Sequence, residues 1–183
     1  MRRAFVALVP PPDAFAQVDA AIAPLRDVVP ALRWMPRSQW HVTLQFLGHV
    51  EHVDALVVAL RDATATIAPF AVRLGGGDAF AKPRAGTVLW VGVEEGAASM
   101  TSLAGALTTA TVPLGHEPED RPFRPHLTVA RAPRPTDLRA AVAAIDDAGP
   151  GPAWTAHEVV LFDSDTRATG AVHTEIARVS LGG

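Results

Sequence analysis

Two four-residue strings, His41-Val42-Thr43-Leu44 and His126-Leu127-Thr128-Val129, repeat one order of residue types 85 positions apart. In an extended strand, residues i and i+2 point to the same face. Each string therefore sets an imidazole beside a hydroxyl on one sheet surface, while its apolar residues turn into a core. Histidine, with an unperturbed pKa of about 6.5, gives or takes a proton near neutrality. One neutral imidazole can draw a proton from water, and a second, charged one can protonate a departing oxygen. Each such transfer is typically worth about 10²–10⁴ in rate. Threonine hydroxyls beside them can donate to non-bridging phosphate oxygens, where charge gathers in the transition state. If both strings line one groove, they suit metal-free acid–base attack on a phosphodiester activated by a neighbouring hydroxyl, above all a strained cyclic one.

With 7 His and 14 Thr in 183 residues, two such strings with apolar second and fourth residues arise by chance about once in a hundred chains of this composition. The surrounding sequence must therefore carry part of the case. Arg33 and Arg37 precede the first string, and Arg121, Arg124, Arg131 and Arg134 surround the second. The planar guanidinium suits phosphate recognition. A net charge of −3 argues against a long footprint on duplex nucleic acid but leaves room for a local basic pocket. The chain has no cysteine, which excludes disulfides and cysteine-ligated metal centres. Gly75-Gly76-Gly77 is not followed by Lys-Ser/Thr, so it reads as a turn or bulge and not as a phosphate-cradling loop. The remaining histidines, His49, His52, His116, His157 and His173, show no metal-ligand spacing and read as surface or strand-edge residues. Trp90 lies in an apolar strand and reads as core, which leaves Trp40 as the better candidate neighbour of a ligand.

The elements that must position the two strings follow from periodicity. Phe5–Val9 reads as a buried strand, stopped by Pro10-Pro11-Pro12. That apolar opening is too short for a leader or a membrane span, so a cytoplasmic location is expected. Helical spacing marks 13–28, 53–67, 98–110 and 136–145, the last with Thr136 as N-cap. Strands are expected at 41–47, 70–74, 87–93, 126–130, 154–162 and 172–181. Strand, helix, motif strand, helix, strand thus occurs twice, over about 1–80 and 87–183. The expectation is one α+β domain spanning 1–183, with two pseudo-symmetric lobes of mainly antiparallel sheet, outer helices and a groove between the lobes. No heptad or interface helix stands out, so a monomer is expected.

Longer stretches carry a resemblance. Trp34 with Trp40-His41-Val42-Thr43-Leu44-Gln45-Phe46-Leu47-Gly48, and Arg121-Pro122-Phe123-Arg124-Pro125-His126-Leu127-Thr128-Val129-Ala130-Arg131, resemble the two signatures of the two-histidine (2H) phosphoesterase superfamily. Within it the chain is similar to the RNA 2′,3′-cyclic phosphodiesterases, historically called 2′-5′ RNA ligases. The opening strand, Thr87–Val93 and the C-terminal strands extend the likeness along nearly the whole chain. The resemblance implies opening of a 2′,3′-cyclic phosphate on an RNA 3′ end or a small nucleotide to a 2′-phosphomonoester, without metal or cofactor. It implies His41 as general acid, His126 as general base, and Thr43 and Thr128 as phosphate ligands. The acid and base labels can be exchanged, because nothing in the sequence breaks the symmetry.

The resemblance also places Phe46 and Arg131 beside the terminal nucleobase, with Arg124 as a further nucleotide contact. Phe46 and Arg131 each lie five residues past a histidine, on the wrong parity for a regular strand, so each needs a bulge to reach the groove. His173 stands where the family often has tyrosine. The alternatives are a phosphodiesterase acting on another cyclic or 2′-5′ linked nucleotide, and a nucleotide-binding module without turnover.

Overall fold

A computed structural model of the chain describes all residues except Met1, Val28, Ala168, Thr169 and Gly183, and leaves the side chains of Arg2, Thr166, Arg167 and Gly170 undescribed. The strands are β1 (Arg2–Leu8), β2 (Arg33–Trp34), β3 (Val42–Val50), β4 (Phe70–Phe80), β5 (Gly86–Glu95), β6 (His126–Thr136), β7 (Trp154–Ala156), β8 (Glu158–Arg167) and β9 (Gly170–Ser180). Among the described residues four helices accompany them: α1 (Pro12–Ile22), α2 (Val53–Thr64), α3 (Ala97–Thr111) and α4 (Arg139–Asp147). The strands form one sheet in the order β7-β4-β5-β6-β3-β1-β8-β9, with β2 added to β6. Every pairing among the described residues is antiparallel. The fold is α+β, as the sequence pattern predicts.

The order is symmetric about its middle. β6, β5, β4 and β7 fan out on one side, and β3, β1, β8 and β9 on the other. Each lobe draws strands from both ends of the chain, since β4 joins the lobe of β6 while β8 and β9 join that of β3. The helices sort the same way. α2 and α3 pack together against β9 and β3, and α4 packs on β4 with α1 beside it. Each helix buries one stripe: Ala14, Val18 and Ile22 on α1, and Leu56, Leu60 and Thr64 on α2. This i, i+4, i+8 spacing faces one side of a 3.6-residue helix. α1 starts on Pro12, whose fixed φ and missing N–H suit a first turn.

Several boundaries differ from expectation, each for a local reason. The first helix stops at Ile22 and tightens into a 3₁₀ turn over Ala23–Leu25, where Pro24 has no N–H to continue it. Gly75-Gly76-Gly77 does not end a strand. It forms an irregularity inside β4, where the register with β5 shifts. Thr136 ends β6 and caps nothing; its hydroxyl donates to the Arg134 carbonyl. The fourth helix begins three residues later, and the Asp137 carboxylate accepts from the Arg139 N–H at its start. No helix among the described residues is long and apolar enough to cross a membrane.

The lobes meet at one bridge between their central strands, Val42 opposite Leu127. Both side chains are fully buried, and Leu127 also pairs with Val91 of β5. Leu127→Ala should therefore cost about 2–5 kcal/mol, read as a lower denaturant midpoint with an unchanged slope.

Candidate functional site

The Val42–Leu127 bridge fixes where the two motifs lie. In an antiparallel pair, one step outward on each side sets His41 opposite Thr128 and Thr43 opposite His126. The four polar residues form a square on the face away from Val42 and Leu127, with the histidines on one diagonal. Diagonal cross-strand positions are about 7–8 Å apart, a separation at which two rings can flank one phosphate. All four are half-buried. The two histidines are near enough that the charge of one acts on the other.

Each ring is held in the same way. His126 Nδ1 lies 2.7 Å from the Arg124 carbonyl, two residues upstream. A carbonyl only accepts, so Nδ1 carries the proton and Nε2 is left for chemistry. His41 bonds to the backbone of Gln39, again two residues upstream. The walls differ. His41 packs on Phe5 (ring centroids 4.7 Å apart) and meets His173 edge-on at 5.4 Å. His126 packs edge-on against Phe80 at 4.8 Å and Trp90 at 5.6 Å.

The bulges that Phe46 and Arg131 require are present. Between Thr43 and Gln45 the β1–β3 register gains a residue on β3, and between Thr128 and Ala130 the β5–β6 register gains one on β6. Burial shows the same defect twice. Residues 41–47 and 126–132 share one pattern, alternating for three residues, then two buried neighbours, then an exposed residue. The doubled buried positions are Leu44-Gln45 and Val129-Ala130. After them, Phe46 and Arg131 return to the histidine face. Phe46 is 54% exposed, its ring 6.1 Å from Phe5. Arg131 is exposed and its charge acts on both histidines.

The sequence model of the 2′-5′ RNA ligase superfamily matches residues 10–168. The chain belongs to this superfamily. Relatives called RNA 2′,3′-cyclic phosphodiesterase include one from Geobacillus stearothermophilus, 32% identical over 162 residues, covering 84% of this chain and 49% of its own. Another, from Aeropyrum pernix, is 30% identical over 132 residues, covering 70% of this chain and 75% of its own. The chain thus spans about half the length of the Geobacillus relative. Among solved structures, a Thermus thermophilus protein superposes with a TM-score of 0.77 at 27% identity, over 99% of this chain and 98% of that one. Escherichia coli LigT complexed with 3′-AMP shares the fold at 24% identity, with a TM-score of 0.73, covering 100% of this chain and 99% of its own.

Against this superfamily background, several neighbours of the motifs differ from the sequence reading. Trp40, expected beside a ligand, is 2% exposed; it packs edge-on with Phe15 and donates to the Met35 carbonyl at 3.0 Å. Trp90, expected as plain core, is buried but forms a wall against His126. An indole in an apolar strand satisfies both descriptions, and only the His126 register decides between them. Of the histidines expected at the surface or on a strand edge, His173 does lie on the edge strand β9, whereas His116 does not stay outside. His116 is buried with Nδ1 2.8 Å from the Leu47 carbonyl, and His173 lies against His41. Arg124, expected on a nucleotide, ion-pairs with Asp78 at 2.8 Å and sits 4.5 Å over the Trp90 ring. Arg37 pairs with Asp19, which Arg26 also approaches.

Phe5, Phe80 and Asp78 carried no sequence signal, because each reaches the site through strand pairing alone. Gly92, paired with His126, allows that wall to close: a Cβ there would lie 2.9 Å from the Gly75 carbonyl. Among the described residues no three His, Asp or Glu side chains gather as a metal-binding group.

Burial pushes the His41 imidazole down to about 4. The nearby His173, His126 and Arg131 push the same way, against the Gln39 hydrogen bond. Burial also lowers His126, opposed by its bond to the Arg124 backbone, with Arg131 and Arg124 adding to the lowering. Both rings are thus neutral in the free protein at pH 7. An unfolded histidine binds its proton near pH 6.5, so the unfolded state takes up protons first as pH falls. The His41 contribution is complete above about pH 6.5 and is lost on the way down through about 4. Denaturant titrations should show stability falling over that window by roughly 3 kcal/mol on account of His41, and His41→Gln should flatten the fall.

Proposed function

We propose that this chain hydrolyses RNA 2′,3′-cyclic phosphate ends, or the corresponding small nucleotides, to 2′-phosphomonoesters by metal-independent acid–base catalysis. The observation that carries the reading is the square of His41, Thr43, His126 and Thr128 across the Val42–Leu127 bridge. Two imidazoles and two hydroxyls on one face, at diagonal spacings of about 7–8 Å, support the reading that they act together on a single phosphate. The superfamily relatives called RNA 2′,3′-cyclic phosphodiesterase support the choice of substrate. Both histidines come from one chain, which supports a site complete in the monomer.

In this reading Thr43 and Thr128 donate to the non-bridging oxygens. His126 Nε2 takes a proton from water, which attacks phosphorus in line with the 3′ oxygen. His41 gives a proton to that oxygen as its bond to phosphorus breaks. Water supplies the new P–O bond, the 2′ ester remains, and the proton count is unchanged over the cycle. His41 is neutral in the free protein, so it gains its proton with the substrate: an anionic phosphate beside a desolvated imidazole favours the charged form. The aromatic Phe46 at one end of the square suits a nucleobase.

Turnover of RNA ending in a 2′,3′-cyclic phosphate should persist in EDTA. His41→Ala and His126→Ala should each lower it by at least about 10²-fold; full activity in either variant overturns the reading. A p-nitrophenyl phosphodiester separates the roles, since its leaving group needs no proton. His41→Ala should regain activity on that ester and His126→Ala should not. The opposite pattern exchanges the two labels.

A further inference from the structure

The residue two before each motif histidine holds that ring through its own backbone and is itself tied, by its side chain, to another strand of the same lobe. Before His41 it is Gln39, whose backbone bonds to the ring and whose Nε2 donates to the Ala171 carbonyl on β9 at 2.5 Å. Before His126 it is Arg124, whose carbonyl accepts from Nδ1 at 2.7 Å and whose guanidinium reaches Asp78 on β4 at 2.8 Å. Glutamine and arginine differ in side-chain chemistry, yet the two halves of the chain repeat the arrangement.

The arginine version is the more constrained. Pro125 follows Arg124, keeps it out of helical backbone and has no N–H of its own. The approach to His126 thus lacks a ladder donor at Pro125, and the Arg124 side chain supplies a fastening in its place. It is fastened twice. Nη2 donates to Asp78 Oδ2, and the guanidinium lies 4.5 Å over the Trp90 ring. Asp78 Oδ1 in turn accepts from the Ala79 N–H at 2.7 Å, which fixes the carboxylate on its own strand. Asp78 pairs with Trp90, and Trp90 with Thr128. Directly opposed residues of an antiparallel pair share a face. Asp78, Trp90 and Thr128 therefore form one row across β4, β5 and β6 on the histidine face, and Arg124 lies over that row. The ion pair is partly exposed, and such pairs add little to stability. Holding His126 explains it better than holding the fold.

We infer that Asp78 and Arg124 are positioning residues for His126: the carboxylate anchors the arginine side chain, and the arginine carbonyl then holds Nδ1–H so that Nε2 faces the phosphate. The catalytic consequence rests on the hydrolytic reading above, while the clamp is a property of the free protein. Arg124 then stands behind the imidazole, not on the nucleotide. The charged and titratable groups around His126 are Arg124 itself, Asp78 on β4, His41 on the diagonal from β3, and Arg131 further along β6; β5 offers the neutral Trp90 and Gly92, and β4 the neutral Phe80. Arg124 acts on His126 in two opposed ways. Its carbonyl favours the charged ring, and its guanidinium disfavours it. Asp78 steadies the carbonyl and counters the guanidinium charge. Loss of the carboxylate therefore works in one direction on both counts, against protonation of His126.

Nitrogen NMR of the histidine rings tests the clamp without turnover, with His126→Gln identifying the His126 signals. In the parent the ring should carry its proton on Nδ1. In Asp78→Asn the two tautomers should mix, and the His126 titration midpoint should drop by about half a pH unit. For RNA ending in a 2′,3′-cyclic phosphate, Asp78→Asn should lower kcat about tenfold with KM held within about twofold. Asp78→Glu should recover most of the loss. Arg124→Gln cuts the same pair from the other side and should lower kcat alike, whether or not Asp78→Asn folds. Arg139→Gln, which breaks an exposed ion pair with Asp137 at the start of α4, should leave tautomer, midpoint and kcat as in the parent. An unaltered tautomer and midpoint in folded Asp78→Asn, or a raised KM with the parent kcat in Arg124→Gln, overturns the clamp. If tautomer and midpoint shift but the parent opens no cyclic phosphate, the clamp stands and the hydrolytic reading falls.

Discussion

One backbone contact governs the geometry of this protein. β3 and β6 meet at the bridge Val42–Leu127, where the central strands of the two lobes are joined. The side chains of the bridge are fully buried, so the register is locked by the core. A one-residue slip of either strand would turn its bridge residue outward and its own histidine toward the core. The polar square is thus a by-product of apolar packing: the hydrophobic effect holds Val42 and Leu127 inward, and strand alternation puts His41, Thr43, His126 and Thr128 on the other face. Two bulges then restore Phe46 and Arg131 to that face.

The electrostatics follow from the same placement. A site walled by Phe5, Phe80 and Trp90 desolvates the imidazoles, and desolvation is the largest cause of the lowered affinity of both for protons. An anionic ligand opposes that effect. In the proposed reading, the burial that makes the free site reluctant to hold positive charge makes it responsive to an anionic phosphate. The lobes are alike in the number of strands that follow each central strand and unequal in side chains. His173 and Phe5 stand by one imidazole, and Trp90 under Arg124 by the other. The symmetry that left acid and base interchangeable in the sequence is broken here by neighbours contributed from β1, β4, β5 and β9.

Much of this was legible in the residues. The repeated His-x-Thr-x strings located the square, and parity alone demanded bulges before Phe46 and Arg131. The α+β pattern and four helices followed from periodicity, with errors at ends, as where a short 3₁₀ turn follows Ile22 and where β6 runs on to Thr136. The tryptophans and the outlying histidines were not legible. Trp40 and Trp90 both sit in apolar stretches, and His173 is one residue of an alternating edge strand. Which of them faces the groove depends on pairing between segments far apart in the chain.

The sequence by itself determined which residues are candidates for the chemistry, the face each occupies on its own strand, and the class of the fold, because these rest on local periodicity and on what imidazole and hydroxyl can do. The tertiary structure alone decided that the two motif strands are neighbours, that Arg124 and Arg37 are taken up by carboxylates, and that His173 meets His41. Those are properties of strand order and register. They are set by which distant apolar surfaces bury one another, and no local pattern encodes that choice.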